Sequence, residues 1–211
     1  MNKTYLFDFD GTLVDSMPTF ASVMIRILDE HNIKYDNDIV KIITPLGYRG
    51  TAEYFRTLGI SKPTDELVAL MSSYARLEYE NTIGAKRGVI DTLRKLRDGG
   101  ASLNILTASP HIMLDPCLKR LGIFELFDNV WSSDDFGTTK ANPEIYKMAA
   151  ERLGRKVGEV IFVDDNIGAV STAKRAGMIA YGIYDDSSAD LIDKMHEASD
   201  RYVMMFFELL D

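Results

Sequence analysis

Short apolar runs alternate with helix-period patterns along most of this chain, and that alternation limits it to one broad architecture. Runs at residues 4–9, 102–107, 130–132, 160–163, 178–183 and 201–204 have the length and composition of strands. Helical patterns at 89–97, 111–121, 142–153 and 169–176 lie between them. Asn142 is a suitable N-cap with Pro143 at the first helical position, and Gly154 and Gly177 read as C-terminal stops. Alternation of this kind predicts βα units and a parallel sheet.

Residues 15–87 break the rhythm. Phe20, Val23, Met24, Ile27 and Leu28 recur at helical spacing, as do Leu67, Leu70, Met71, Tyr74 and Leu77, with no strong strand between them. The expectation is a core of residues 1–14 and 88–211 with an all-helical insertion at 15–87. Its hinges fall at 15–18 and 81–88, the second carrying Gly84 and Gly88. A chain of 211 residues at 46% hydrophobic content can bury such a core and carry such an insertion.

The first apolar run ends in Asp8-Phe9-Asp10-Gly11-Thr12-Leu13-Val14-Asp15. Two carboxylates at the end of a buried strand lose water and repel each other, a cost that a cation and chemistry can offset. Gly11 lets the backbone turn sharply beside a ligand. The run at 102–107 leads into Thr107-Ala108-Ser109, and the run at 160–163 into Asp164-Asp165-Asn166. Lys140 precedes the Asn142 helix. Ligands of open α/β sheets bind beyond the carboxyl ends of the strands, so these four elements are expected to converge.

An acidic pair followed by Gly-Thr-Leu, with the later elements in this order, resembles the haloacid dehalogenase superfamily over essentially the whole chain. The resemblance implies a doubly wound, Rossmann-like α/β core with a helical cap inserted after the first strand. It implies phosphoryl transfer through a covalent aspartyl intermediate, with Asp8 as nucleophile and Asp10 as general acid, then base. The cofactor implied is Mg²⁺, held by Asp8, the Asp10 backbone carbonyl and Asp165, with Asp164 a further ligand or an outer neighbour of one. Thr107 and the Ala108 N–H would bind phosphate oxygens, and Lys140 would balance the charge. Arg49, in the Gly47-Tyr48-Arg49-Gly50 segment expected to be flexible, is a candidate for a second anionic group on the substrate; an ordinary exposed arginine is the alternative. Phe20, Tyr54 and Phe55 are expected to form cap core. His31 and His196 read as ordinary helix residues, and His111 as a surface histidine in the first turn of a helix.

Two departures stand out. The lysine is followed by Ala141-Asn142-Pro143 without the usual first proline, and the position four residues after Asp165 is Ala169, where many relatives carry another acid. The carboxylate Asp10 disfavours dehalogenase and phosphonate-cleaving chemistry. The run Asp15-Ser16-Met17-Pro18 resembles phosphoglycolate phosphatases, so the expected activity is Mg²⁺-dependent hydrolysis of a small phosphomonoester. A phosphomutase similar to β-phosphoglucomutase is the alternative, set back by Phe20 where that group has histidine. A non-catalytic binding protein is a third reading.

Lys plus Arg number 24 against 32 Asp plus Glu, a net charge of −8. That balance argues against nucleic acid or an anionic membrane as main partner and does not exclude an anionic substrate; the resemblance implies a small phosphorylated metabolite. Cys117 is the one cysteine, so no disulfide forms within the chain. With no apolar leader or membrane-length run, the expected location is the cytoplasm, as a monomer or homodimer.

Overall fold

The computed structural model describes residues 3–36 and 38–211, apart from the side chain of Pro45. Met1, Asn2 and Asn37, which the ranges above include, lie outside the described residues. In chain order the elements are β1 (Thr4–Phe7), α1 (Met17–Glu30), α2 (Ile39–Ile43), α3 (Gly47–Thr57), α4 (Thr64–Asn81), α5 (Val89–Asp98) and β2 (Ser102–Thr107). They continue with α6 (His111–Arg120), β3 (Asn129–Ser132), α7 (Glu144–Arg152), β4 (Val160–Asp164), α8 (Ile167–Ala176), β5 (Ile179–Ile183), α9 (Ile192–Ala198) and β6 (Arg201–Val203). A 3₁₀ turn, Phe206–Leu210, closes the chain.

The chain divides into two compact units, residues 1–15 with 84–211 and residues 16–83. In the first, six strands form one sheet in the order β3-β2-β1-β4-β5-β6, and every pairing is parallel. This is the parallel sheet that the alternation predicts, in the doubly wound arrangement that the resemblance implies. The order reverses between β1 and β4, which pair from Thr4 with Val160 to Phe7 with Val163. Chain leaving β1 turns one way and chain leaving β4 the other, so a crevice opens at their carboxyl ends. Both strands are buried throughout, as a parallel sheet covered on two faces requires. Leu6, Phe162, Tyr146, Ala149 and Val170 are members of one continuous cluster. The C-terminal stops behave as expected: Gly154 and Gly177 sit at φ +63° and +100°. The start of α7 falls one residue later than expected: Pro143 is its N-cap with no side-chain capping bond, and Asn142, just before it, accepts the Glu144 N–H on Oδ1 at 3.1 Å.

The second unit is helical. Met24, Ile27 and Leu28 of α1, Ile43 of α2, Phe55 of α3 and Leu67 and Met71 of α4 make its core, with Phe20 and Tyr54 packed against it. One expectation is corrected here. Residues 47–50 are not a flexible connection but the first turn of α3. Gly47 enters at φ +62°, the Thr51 hydroxyl donates to the Ile43 carbonyl at 3.1 Å, and buried Ala52 and Phe55 tie the next turn to the core. Packing of that apolar face outweighs the weak helix propensity of two glycines.

Candidate active site

The turn after β1 and the end of β4 meet at the switch point. The Asp8 N–H donates to the Val163 carbonyl at 2.9 Å, extending the ladder by one residue and setting Asp8 beside Asp164 and Asp165. One carboxylate oxygen from each of Asp8, Asp164 and Asp165 lies within 4.8 Å of the others, and all three residues are buried. Lys140 reaches into the group, with Nζ donating to Asp8 Oδ1 at 2.5 Å and to Asp164 Oδ2 at 2.8 Å. Asp164 Oδ1 accepts the Asn166 N–H at 2.7 Å.

Gly11 and Thr12 seat Asp165. Gly11 has φ +75°, and a Cβ there would lie 2.5 Å from Asp165 Oδ2, so only glycine fits. The buried Thr12 hydroxyl donates to Asp165 Oδ1 at 2.8 Å and accepts the Asp165 N–H at 3.1 Å. Asp10 is less buried and accepts from the Ser109 hydroxyl at 2.5 Å, while the Ser109 N–H donates to Thr107 Oγ1 at 3.0 Å. The loop after β2 is therefore bonded to the turn after β1. Ala108 sits exposed between these two residues.

The electrostatics follow from burial. It raises the Asp8 carboxyl well above the ordinary carboxylate range; Lys140 opposes this, while Asp164, Asp165 and Asp10 add to it. Burial and then the Asp164 charge push Asp165 up to about 7, against the hydrogen bond from Thr12. Burial also works against the Lys140 ammonium, but Asp164 and Asp8 outweigh it and hold the group above its usual value. If ionised, three carboxylates and one ammonium sum to −2 (three negative charges, one positive). A buried charge of that size calls for a cation, and an all-oxygen donor set suits a hard divalent ion. The residues present thus fit a metal such as Mg²⁺.

Asp8, Lys140, Asp164 and Asp165 are thus brought together, with Asp10 and Thr107 linked through Ser109. Arg49 belongs to the helical unit, where its guanidinium donates to Asp65 at 2.7 Å. His111 opens α6 and bonds Asp115 and Asp135, and His31 bonds the Ile27 carbonyl. Cys117 is buried, which pushes its thiol up to about 11 and suits a packing role. Sequence reasoning assigned no role to Thr12 or Ser109, although each lies inside a motif it had singled out. Lys86 and Asp185 carried no signal at all. Among the described residues no helix is long and apolar enough to cross a membrane.

Residues 2–177 match the model of the haloacid dehalogenase-like hydrolase family. The pyrophosphatase PpaX of Bacillus velezensis is 30% identical, covering 84% of this chain and 81% of its own. The phosphoglycolate phosphatase of Salmonella typhimurium is 28% identical, covering 84% of this chain and 79% of its own. A haloacid dehalogenase family hydrolase from Deinococcus radiodurans R1, solved with phosphate and sodium bound, shares the fold at a TM-score of 0.78 and 23% identity, over 98% of this chain and 93% of that one. The chain belongs to the haloacid dehalogenase-like hydrolases, and its class is that of phosphoric monoester hydrolases.

Proposed function

We propose that this protein is a Mg²⁺-dependent phosphatase that hydrolyses a small phosphomonoester through an aspartyl-phosphate intermediate. The observation that carries the reading is the convergence of Asp8, Asp164, Asp165 and Lys140 at the switch point, with Asp10 beside them. A carboxylate oxygen of Asp8 attacks phosphorus, and the bond from phosphorus to the ester oxygen breaks. Asp10 delivers a proton to that departing oxygen. Asp10 then takes a proton from water as the water oxygen attacks phosphorus, and the bond to Asp8 breaks, restoring the carboxylate. Thr107 and the Ala108 N–H bind phosphoryl oxygens, and Lys140 holds Asp8 in line and offsets charge. Asp8, the Asp10 carbonyl and Asp165, with Asp164 beside them, would hold Mg²⁺, and a bound Mg²⁺ would supply neutralisation of phosphate charge.

The residues 16–83 act as the cap, with Arg49 as the side chain that meets a second anionic group on the substrate. Relatives of nearly equal identity are named for pyrophosphate and phosphoglycolate. The shared core therefore leaves the choice of ester open, and a phosphoglycolate-like compound is the first to try. The phosphomutase reading has less support, because Phe20 stacks on Tyr48 at 5.0 Å in the helical core and offers no titratable group. The buried Cys117 suits a reducing compartment, and a cytoplasmic location is part of this proposal.

The test is phosphate release from a panel of esters with and without Mg²⁺, beside Asp8→Asn. Release that requires both Mg²⁺ and Asp8 is expected, with the variant inert but melting like the wild type. Turnover by Asp8→Asn would sink the aspartyl-phosphate mechanism. Turnover of a sugar phosphate only with a bisphosphate activator would favour the mutase.

A further inference from the structure

The acidic turn is held from behind by a residue the mechanism does not use. Lys86 Nζ donates to the Gly11 carbonyl at 2.6 Å, to the Tyr184 carbonyl at 2.7 Å and to Asp185 Oδ2 at 2.8 Å. An ammonium has three N–H donors, and here all three are engaged. The pair is sheltered, with side-chain exposure of 20% for Lys86 and 5% for Asp185. Asp185 is itself fixed, since its Oδ1 accepts from the Ser187 N–H at 2.9 Å. The backbone of Lys86 joins in: its N–H donates to the Leu13 carbonyl at 3.0 Å, and the adjoining Ala85 forms an antiparallel bridge with Val14.

We propose that Lys86 is a positioning residue for catalysis, which locks the turn Asp8–Thr12 against the end of β5 through the Gly11 carbonyl. Gly11 has little freedom otherwise: its N–H donates to the Val14 carbonyl at 3.0 Å, and its α-carbon faces the Asp165 carboxylate so closely that no Cβ fits. A displacement of Gly11 passes directly to Asp165 on one side and to Asp10, its chain neighbour, on the other. Lys86 touches neither carboxylate. Its ammonium sets where they stand, and reactions that depend on alignment are sensitive to shifts well below 1 Å. The inference rests on the phosphatase reading for the roles of Asp10 and Asp165, and goes beyond it in assigning a residue outside every motif.

The structure also supplies the means to test it. A cavity of about 100 Å³ lies beside Lys86, with Thr12, Tyr184 and Phe206 in its wall. Truncation in Lys86→Ala would extend that cavity, and a small primary ammonium ion could then take the place of the missing group. Turnover of an aryl phosphate in Mg²⁺ is measured for the wild type, Lys86→Ala and Asp8→Asn. In Lys86→Ala kcat is expected to fall by about ten- to a hundredfold while KM stays within about threefold. Added ethylammonium is expected to restore kcat severalfold, whereas ethanol and tetramethylammonium, which lack the N–H donors, do not. A kcat near the wild-type value, or no restoration by ethylammonium, overturns the proposal. If Lys86→Ala does not fold, Lys86→Met keeps the stem without the donors, and unchanged kcat in that variant overturns it equally. Asp8→Asn separates the two readings. An active Asp8→Asn refutes the nucleophile assignment, whereas an inert Asp8→Asn beside an unaffected Lys86→Ala refutes only the clamp.

Discussion

Gly11 shows how tightly the site constrains a single residue. Its φ of +75° and the 2.5 Å that would separate a Cβ from Asp165 Oδ2 are independent reasons against any side chain. In Gly11→Ala the backbone strain costs about 1–3 kcal/mol, and displacement of Asp165 is expected to lower kcat by about 10²-fold. Thermal melting and steady-state kinetics read the two effects separately, and wild-type kcat in that variant would refute the account of the turn. Asp165 illustrates the opposite tension. Its carboxyl is pushed up to about 7 by burial and by Asp164, so the metal-free fold is under electrostatic load there. If Asp165 helps to hold Mg²⁺ as proposed, Mg²⁺ is expected to stabilise the wild type by about 2.7 kcal/mol at a hundredfold excess over Kd, and Asp165→Asn to abolish that gain while raising the melting temperature in EDTA. A melting temperature that still rises with Mg²⁺ in the variant would remove Asp165 from the metal site.

Elements are tied together by polar contacts that their own sequences do not announce. His111, the first residue of α6, donates or accepts at Asp115 one turn on and at Asp135 in the 3₁₀ turn after β3, at 2.9 and 2.8 Å. Asp135 in turn accepts the Ser132 N–H at 2.9 Å, and Arg152 of α7 donates to its carbonyl at 2.9 Å. Hydrogen bonds to Asp115 and then Asp135 raise the His111 imidazole above its ordinary value. A group whose folded value is raised stabilises fully below its unfolded pKa, near 6.5, and that stabilisation fades as pH rises through the folded value. The loss of melting temperature in His111→Ala should therefore be larger at pH 6 than at pH 9. The side chain is 41% exposed, so solvent screens the effect and the difference will be modest. Equal losses at both pH values would show that the imidazolium contributes nothing.

For the molecule as a whole, the division of labour is between a core that carries the carboxylates and a helical unit of residues 16–83 built on its own apolar cluster. Arg49 tests the role proposed for that unit. Its pair with Asp65 is solvent-exposed, at 69% and 83% of the two side chains, so it adds little to stability. Arg49→Ala is expected to melt like the wild type and to raise KM for the physiological ester more than for a generic aryl phosphate. Equal changes in both KM values would take Arg49 out of substrate selection.

The amino-acid sequence by itself determined the elements and the ends of strands where chemistry belongs. Short apolar runs, a helical period of 3.6 residues and stops such as Gly177 are local signals, and the runs placed each of the six strands to within about two residues. The acid-ended runs at Asp8 and Asp164 were legible for the same reason: a polar cluster closing a buried apolar run is written in adjacent letters. Only the tertiary structure decided the rest. That β4 lies on the other side of β1 from β2 depends on summed packing over the whole sheet; this adjacency sets Asp8 beside Asp164, and Lys140, 132 positions from Asp8, bonds both. The bond from Ser109 to Asp10 and that from Lys86 to Asp185 each span 99 positions. The helical start at Gly47 was likewise set by Phe55 and Ala52 finding a core, against what two glycines would choose alone. Long-range partners of this kind leave no period or spacing to read, because the energy that selects them exists only when the chain is folded.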